Sequence, residues 1–313
     1  MLPPLAEHLD AEGIHVQAPF AVVFICGGKT SSVSQEIPES IRDAFLKIPD
    51  KPILRDRKFI LAEEIDIFYK SRQAYRDLLK FEMDLAQITE LIVLFSESSG
   101  SFVELGAFSV IPEISERLLV VIRDTHYREE SFINLGPILH LTNRYSDSVV
   151  CVIEDSELNI SGNKVSSINK SNLYAALEKP ISERINQIRQ FTTFNQSLSG
   201  HMIKLIVGLI QEYGALTINE IESILPYANI NKTQIEIDSY LLCAESVDWI
   251  KKDKKGVNTF FFARPGRDAA SFRFKDTVPN KDRVRRRQTV REHWRSVDPE
   301  RYRGIVQWLG GKI

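Results

Sequence analysis

The sequence predicts an α/β domain built on a parallel β-sheet, followed by a mainly α-helical winged-helix domain. Short, continuous apolar segments rich in β-branched residues, such as 20–25, 91–95 and 118–122, are typical of strands buried in a parallel sheet. Helical patterns separate these segments, and this alternation is typical of α/β folds. Near the C-terminus, three helical patterns precede two apolar strands joined by a turn at Gly256, which is the order of a winged helix.

The elements of the first half follow from their apolar spacing. Continuous apolar segments predict the strands, and apolar residues spaced three or four apart predict the helices. The first helix has Pro38 near its start. In order, the predicted elements are strand 20–25, helix 34–47, a strand within 53–70, helix 75–87, strand 91–95, helix 102–110, strand 118–122 and strand 149–153.

The second half carries the winged-helix pattern. A capping-box signature, Thr217-x-x-Glu220, opens the second of its three helices, and Asn231 or Thr233 caps the third. After the hairpin, the chain is predicted to be basic and irregular, with a short helix around 301–309. The predicted segments are an α/β domain at 1–160, a connector at 161–200, the winged-helix domain at 201–265 and a basic tail at 266–313.

The net charge of −2 is the sum of a basic C-terminal segment and an acidic remainder of the chain. Residues 251–313 contain 18 Lys and Arg and 7 Asp and Glu, a balance of +11. The rest of the chain contains 22 basic and 35 acidic residues, a balance of −13. An acidic body with a basic tail indicates a polyanionic partner for the tail.

Other features of the composition predict a cytoplasmic protein without a membrane segment. No stretch of about 18 uncharged apolar residues occurs, and the first residues lack the basic region of a signal peptide. Cys26, Cys151 and Cys243 lie far apart and form no CxxC motif. We therefore expect reduced thiols and no metal site.

Two loops follow predicted parallel strands, at the edge where such sheets bind ligands. Gly27 and Gly28 follow the first strand, where they allow either the close approach of a phosphate or ribose or simply a tight turn. The second loop runs into a helix N-terminus, which favours anionic groups. The predicted substrate-binding residues are Gly27, Gly28, Glu97, Ser98, Gly100 and Ser101.

Glu104 follows the second loop, in what the pattern predicts to be the first turn of the next helix. Two interpretations remain open for this residue. Ser101-x-x-Glu104 has the spacing of a capping box, in which Glu104 bonds the backbone amide of Ser101. Alternatively, Glu104 is a catalytic carboxylate beside a ligand held by the loop.

The segment Gly100–Ser109, GSFVELGAFS, resembles the GT-x-x-ELG element of the nucleoside 2-deoxyribosyltransferase family. In that family the Glu is the nucleophile that attacks the sugar C1′, and Glu104 occupies its position. A carboxylate suits N-glycosidic cleavage because it stabilises or traps an oxocarbenium-like state. The family usually has Asp six residues earlier, where this chain has Ser98, with Glu97 adjacent.

The sequence is more similar still to the deoxyribosyltransferase-like effectors of bacterial retrons. The similarity lies in 24–28, 94–109 and 131–137, which together span most of 20–137. It implies a Rossmann-like catalytic domain and a winged-helix part in the toxin of an anti-phage toxin–antitoxin system. It also implies cleavage of NAD or another nucleotide, consumed as a substrate with no cofactor, in a complex with a reverse transcriptase and its RNA–DNA hybrid product, msDNA.

The same resemblance implies further site residues. Asn134 matches a position near the active site that a neighbouring subunit sometimes supplies, so we expect a homo-oligomer. Asn before Leu-Gly-Pro is also ordinary in a turn. Glu64, with Glu63 and Asp66, lies where the family often places a carboxylate that binds sugar hydroxyls or protonates the base. An exposed charged loop without a catalytic role would also contain such carboxylates.

The basic tail has the residue types of a nucleic-acid interface. Arginines neutralise phosphates and aromatic rings stack on bases, whereas a solvated charged face is the plainer interpretation. The predicted nucleic-acid-binding residues are Arg283, Arg285, Arg286, Arg287, Arg291, Trp294 and Arg295.

A different class of function remains open from the sequence. A nucleotide-binding α/β domain joined to a winged helix is also the plan of a regulator that senses a nucleotide and binds DNA without catalysis. Such a protein would hold its ligand intact, whereas the enzyme would release a free base.

Overall fold

The computed structural model describes residues 2–32, 34–61, 75, 77–162, 164–187 and 191–309. The chain divides into two compact units. The parallel-sheet unit consists of Pro19–Ile65 and Thr89–Ile188, and the C-terminal unit consists of Met1–Ala18, Asp66–Ile88 and Arg189–Ile313. The C-terminal unit therefore also contains the first residues of the chain. The four segments that we named from the sequence, with their functional labels, remain predictions.

The strands of the described residues are short, and each of them belongs to one of three sheets. In chain order they are β1 (Leu9–Gln17), β2 (Val22–Cys26), β3 (Lys58–Leu61), β4 (Leu91–Phe95), β5 (Leu118–Arg123), β6 (Val150–Ile153), β7 (Phe191–Thr193), β8 (Ala215–Leu216), β9 (Ile250–Lys255), β10 (Asn258–Ala263) and β11 (Ala270–Phe274).

Helices connect these strands, and none of the described ones is long and apolar enough to cross a membrane. In chain order they are α1 (Ile41–Leu46), α2 (Leu78–Ala86), α3 (Ser99–Ser109), α4 (Pro112–Ser115), α5 (Asp124–Tyr127), α6 (Leu139–Tyr145), α7 (Asp155–Leu158), α8 (Lys170–Asn186), α9 (Ser199–Tyr213), α10 (Ile218–Ile224), α11 (Gln234–Ser246), α12 (Arg283–Val297) and α13 (Pro299–Trp308). Shorter turns are the 3₁₀ segments Ala6–His8, Pro52–Leu54, Asp147–Val149 and Leu225–Ala228 and the π-helical segment Asn134–Ile138.

The parallel-sheet unit is built on five parallel strands in the order β3-β2-β4-β5-β6. The predicted mixed α/β fold with a parallel sheet is thus confirmed. Numbered along this sheet, the order is 2-1-3-4-5, a doubly wound arrangement whose direction of winding reverses between the first and third strands. Ligands bind such sheets in the crevice at the carboxyl ends of those strands, here β2 and β4.

Helices cover the sheet, so its central strands are buried along their whole length. Every residue of β2, β4 and β5 is buried. Phe45 of α1 and Leu173 and Leu177 of α8 belong to the same apolar core as these strands. Full burial of each such side chain contributes about 1.5–3 kcal/mol. The core thereby fixes the ends of β2 and β4, where the predicted loops begin.

The first helix is shorter than predicted. We expected residues 34–47 to be helical, but α1 begins only after Ser40, whose hydroxyl accepts a hydrogen bond from the backbone N–H of Asp43 (2.9 Å). Pro38 lies just before this N-cap. Because Ser is a strong N-cap residue, the capping bond and not the apolar spacing sets the start of the helix.

In the C-terminal unit, α9, β8, α10, α11 and the β9–β10 hairpin follow one another in that order. Capping boxes open α10 at Thr217 and α11 at Thr233, as the sequence indicated. The hairpin turn has Gly256 at φ 60°, a left-handed conformation that suits glycine. β8 pairs with β10, so the short strand and the hairpin form one antiparallel sheet.

The tail is more regular than we expected, although α13 confirms the short helix predicted around 301–309. It forms β11, which pairs with β1 from the start of the chain, and the helices α12 and α13. Arg286, Val290 and Trp294, spaced four apart, form the buried face of α12. Because an arginine occupies one of these buried positions, the apolar spacing that would have predicted the helix is interrupted.

Candidate active site

The two glycines after β2 are required by close packing of the chain. Gly27 has φ +152°, and a Cβ atom there would lie 2.8 Å from the Cβ of Phe95. At Gly28 a Cβ atom would lie 2.7 Å from the Cβ of Ser40. Protein atoms therefore occupy the space that these glycines leave open, which supports the tight-turn interpretation over a close approach by a ligand.

Glu97 joins this turn to the loop after β4. Its carboxylate accepts hydrogen bonds from the backbone N–H groups of Gly28 (3.0 Å), Ile41 (2.7 Å) and Arg42 (3.0 Å). A carboxylate at the start of a helix satisfies N–H groups that have no partner within the helix. A carboxylate of the chain itself thus fills the anion position at the start of α1.

Ser98 and Ser101 hold the start of α3. Ser98 Oγ accepts a hydrogen bond from the backbone N–H of Ser101 (3.2 Å), and Ser101 Oγ accepts one from the backbone N–H of Ser98 (2.9 Å). Ser98 Oγ also donates to the carbonyl of Gly27 (3.3 Å). These bonds form a capping box and fix the loop against the turn after β2.

The capping box of Ser98 and Ser101 excludes the capping role that we considered for Glu104. Because α3 begins at Ser99, Glu104 lies in the second helical turn and not in the first. Glu104 is partly exposed as a residue, but the Oε2 atom of its carboxylate is buried. The helix starts earlier than predicted because Ser98 is the N-cap, a role we had given to Ser101.

Open space lies beside Gly100, in the first turn of α3. Gly100 lies four positions before Glu104, so the two residues lie on the same face of the helix. A Cβ atom at Gly100 would have only the Oγ of Ser98 as a neighbour, at 4.0 Å. Gly100 therefore leaves room for a ligand, and Glu104 lies one turn further along the same helix.

Arg123 is a residue at this edge of the sheet that the sequence analysis missed. It ends β5, and its guanidinium donates to both carboxylate oxygens of Asp155 (2.7 and 2.5 Å). Those bonds, with the nearby charges of Asp124 and Glu97, raise the pKa of Arg123 against the opposing effect of burial. A basic residue directly after an apolar strand was the available signal for a cation near the crevice.

Asn134 supports the chain that surrounds it. Its Nδ2 donates to the carbonyls of His126 and Glu129 (both 2.7 Å), at the end of α5. Its Oδ1 is buried and has no hydrogen-bond partner among the described residues. The segment Asn134–Ile138 contacts α3, the helix that carries Glu104. Glu64, Glu63 and Asp66 lie outside the described residues.

Exposed apolar side chains lie on or next to α3 and the segment Asn134–Ile138 that contacts it. Phe132 is 84% exposed, and Val103 and Leu135 are also largely exposed. Large apolar side chains grouped in this way often mark an interface with another protein. We refer to this group, which consists of Val103, Val110, Phe132, Leu135 and Leu139, as the apolar patch.

Comparison with known proteins identifies the family of this chain. Residues 38–252 match the model of a family described as "STM3845 retron effector protein". The chain belongs to this retron effector family. Two relatives from Escherichia coli are a "Retron Ec86 putative ribosyltransferase/DNA-binding protein", 29% identical over 189 residues, and the corresponding Retron Ec73 protein, 30% identical over 128 residues. The matches cover 57% and 40% of this chain, and 56% and 39% of those relatives.

Burial corrects the predicted nucleic-acid interface of this retron effector. The side chains of Arg286 and Glu212 are only 7% and 3% exposed and form an ion pair (3.0 Å). Arg287 bonds Glu212 and Asp268 (2.9 and 2.7 Å). Trp294 is buried and donates its indole N–H to a backbone carbonyl (2.8 Å). Arg286 and Trp294 are therefore buried in the C-terminal unit and cannot reach a nucleic acid, whereas Arg287 is partly exposed and its charge is balanced by carboxylates of the chain.

The other predicted arginines remain at the surface of the effector. Arg283 is half exposed and forms an ion pair with Asp268. Arg285 and Arg295 are exposed, and Arg291 is partly exposed. Their position leaves them available to a polyanion, so for these residues the prediction stands.

Asp43 links the stability of the parallel-sheet unit of the effector to pH. Burial opposes ionisation of its carboxyl, but hydrogen bonds from Ser31 Oγ (2.7 Å), the Glu39 N–H (2.9 Å) and Lys47 outweigh it and lower the pKa of Asp43. A lowered pKa stabilises the fold at pH values above the ordinary Asp value of about 3.9. That contribution is lost as the pH falls through the lower pKa of the folded protein.

We therefore expect Asp43→Asn to remove part of the loss of stability below about pH 4. The measurement is the free energy of unfolding in urea between pH 5 and pH 2. Asp50→Asn is the matched control, because Asp50 pairs with Arg55 at the surface. Equal acid dependence in wild-type protein and Asp43→Asn would refute the assignment.

Proposed function

We propose that this retron effector is the toxin of an anti-phage defence system and cleaves the N-glycosidic bond of NAD or another nucleotide. Glu104 is the nucleophile. The observation that carries the proposal is the place of Glu104 on α3, the helix that follows β4 at the carboxyl edge of the sheet and has open space at Gly100 in its first turn. The word ribosyltransferase in the names of both relatives supports the same chemistry.

The reaction has two steps in this proposal. The Glu104 carboxylate attacks C1′ of the sugar through an oxocarbenium-like state, and the electrons of the C1′–N bond leave with the base. Water then attacks C1′ and restores the free carboxylate. A second carboxylate commonly activates this water. Glu64 is the candidate for that role, and NAD is consumed as a substrate, so the reaction needs no cofactor.

The bonds of Glu97 and Ser98 contribute to catalysis by holding the loop still. They tie the start of α3 to the turn after β2 before a substrate binds. A reacting group held in place needs no reorganisation in the transition state, and small displacements of such a group are costly. We therefore propose that both residues position Glu104. The α/β unit would then be a Rossmann-like domain of the deoxyribosyltransferase type.

Analysis of the reaction products tests the enzymatic proposal. Purified effector is incubated with NAD and with a panel of nucleotides, with and without its partner complex, and the products are followed by liquid chromatography over time. Free nicotinamide or free nucleobase is the expected product. A ligand that stays intact and bound in a stoichiometric amount would favour the nucleotide-sensing regulator instead.

The C-terminal unit is proposed to join the effector to a reverse transcriptase and its msDNA. The order of α9, β8, α10, α11 and the β9–β10 hairpin supports a winged helix. The exposed arginines of α12 provide a surface for phosphates. Both relatives carry the words DNA-binding in their names, which is consistent with this role.

We also propose that the effector acts as a homo-oligomer through the apolar patch. The patch includes residues of α3 and of the chain held by Asn134, so an oligomer formed through it would place a neighbouring subunit beside Glu104. The neighbour would supply the segment around Phe132 to the site. Asn134 would then act by holding that segment in its own subunit.

Mixing two inactive variants tests shared active sites. Glu104→Gln and Asn134→Ala are each expected to be inactive alone, and together they should regain about a quarter of wild-type activity in a randomly exchanged dimer. The measurement is base release after the two proteins have been mixed. A mixture that stays inactive, although gel filtration shows mixed oligomers, would contradict sharing of the site.

A further inference from the structure

A groove runs between α12 and α13 in the C-terminal unit. It encloses about 480 Å³, within the range of about 300–1,000 Å³ that is common for ligand pockets. Val284, Val306 and Leu309 contribute apolar walls. Arg291, Arg295 and Tyr302 supply two cations and an aromatic ring. The groove therefore combines an apolar interior with groups that bind anions and planar rings.

The arginines of α12 differ in how their charge is balanced. Arg286 and Arg287 face Glu212, and Arg287 also bonds Asp268, so carboxylates of the chain neutralise them. In contrast, Arg291 and Arg295 form no ion pair within the described part of the chain. The carboxylate of Glu292 in the same groove accepts a hydrogen bond from Gln288 (3.1 Å). Arg291 and Arg295 thus keep a positive charge that an external anion can balance.

The third helix of the winged-helix order does not offer an alternative site for phosphates. α11 contains Glu236, Asp238 and Glu245 and no Lys or Arg. Its exposed residue Ile235 is apolar and 71% accessible to solvent. A helix with this charge repels a phosphate backbone. In the C-terminal unit, the balance of charge therefore favours α12 and α13 over α11 as the polyanion-binding surface.

We propose that the groove binds unpaired nucleotides of a nucleic acid. A base lies against Tyr302 and the apolar walls, and Arg291 and Arg295 bind the adjacent phosphates. Stacking on an aromatic ring beside arginines is how proteins bind single strands. Bases inside a duplex are stacked on one another and cannot enter. This inference rests on the proposed nucleic-acid contact of the C-terminal unit and assigns it to one groove and one form of nucleic acid.

Binding of labelled oligonucleotides to the full chain tests the groove. The probes are a 20-nucleotide single-stranded DNA of mixed sequence and the duplex of the same sequence, measured by fluorescence anisotropy over a range of salt concentrations. We expect the single strand to bind more tightly than the duplex. In Arg291→Gln/Arg295→Gln, the negative slope of log K against log salt should become shallower by roughly 1.4. Each arginine that binds a phosphate of a single strand contributes about 0.7 to its magnitude.

Two variants of Tyr302 separate stacking from folding. Tyr302→Leu should weaken single-strand binding by roughly 5- to 150-fold, because each stacked base contributes on the order of 1–3 kcal/mol. Tyr302→Phe keeps the ring and should bind as wild type does. If Tyr302→Leu also binds as tightly as wild type, no base lies against the ring and the proposal is overturned.

A matched control removes the same charge outside the groove. Arg303 is 75% exposed on α13, and Lys254 is exposed on the hairpin. Arg303→Gln/Lys254→Gln should leave the salt slope close to that of wild type. An equal fall in the control, or tighter binding of the duplex, would overturn the proposal. The proposal would also be overturned if the groove variants bound DNA as wild type does but no longer bound a protein partner.

The test separates the groove from the proposed chemistry. Base release by the parallel-sheet unit is measured on the same preparations. If base release is normal and the groove variants bind DNA as wild type does, the groove proposal is overturned and the catalytic proposal is not affected. Absence of base release with the expected DNA binding would count against the catalytic proposal and leave the groove supported.

Discussion

Glu104→Gln is expected to abolish N-glycosidic cleavage, lowering the rate of base release by roughly 10³-fold or more. Gln has the size of Glu but carries no charge, so it neither attacks C1′ nor stabilises the oxocarbenium-like state. The helix should be unaffected, because Ser98 and Ser101 form the capping box of α3. The measurement is the initial rate of free base release, with cellular toxicity as a second readout.

Two other Gln substitutions make this result specific. Glu178→Gln removes an exposed carboxylate of α8 and should retain the wild-type rate. Glu97→Gln disturbs the bonds to Gly28 and α1, so it should reduce both the rate and the stability of the parallel-sheet unit. Wild-type cleavage by Glu104→Gln would show that another group is the nucleophile.

Glu212→Gln is expected to lower the free energy of unfolding of the C-terminal unit by about 3–5 kcal/mol. It leaves Arg286 buried without its carboxylate, and an unpaired buried charge is costly. Arg287 keeps Asp268 as a partner and adds less to the loss. The measurement is the change in unfolding free energy in urea, followed by circular dichroism.

A second substitution distinguishes charge from packing. In Glu212→Gln/Arg286→Met the buried cation is removed together with its partner, so much of the lost stability should return. Arg285→Gln is the control, because Arg285 is exposed on the same helix, and it should change stability by less than about 0.5 kcal/mol. If Glu212→Gln unfolds as wild type does, Arg286 and Arg287 are not held as the structure describes.

The parallel sheet was predictable because its strands are buried on both faces. Continuous apolar segments such as 91–95 and 118–122 identify β4 and β5 within a residue at their ends. The helix order of the C-terminal unit was equally accessible, since Thr217 and Thr233 have acidic residues at the spacing of capping boxes. In both cases a local pattern determines a local structure.

The tail could not be predicted in the same way because its structure depends on distant partners. β11 pairs with β1, about 260 residues earlier in the chain. In α12, Arg286 occupies a buried position only because Glu212 of α9 neutralises it. No local sequence pattern predicts such an ion pair. In its sequence, a helix with a buried arginine therefore resembles a charged segment at the surface.

The candidate site shows the same division. The strand, loop and helix around Glu104 were predictable, and the retron effector family is shown by the match over residues 38–252. The hydrogen bonds of Glu97 were not predictable, because its partners Gly28 and Ile41 lie 69 and 56 residues away. Only the fold brings the two loops together, so that backbone N–H groups after β2 and at the start of α1 bond the carboxylate of Glu97.

Trapping the sugar on the enzyme tests the central claim most directly. A 2′-fluoro analogue of the cleaved nucleotide should slow the second step, because fluorine at C2′ disfavours the oxocarbenium-like state, and the sugar should then remain bound to the nucleophile. Peptide mass spectrometry is expected to find the sugar on Glu104 in the wild-type protein and no adduct in Glu104→Gln. Release of the base from the analogue with the sugar attached to another residue, or to none, would contradict the account.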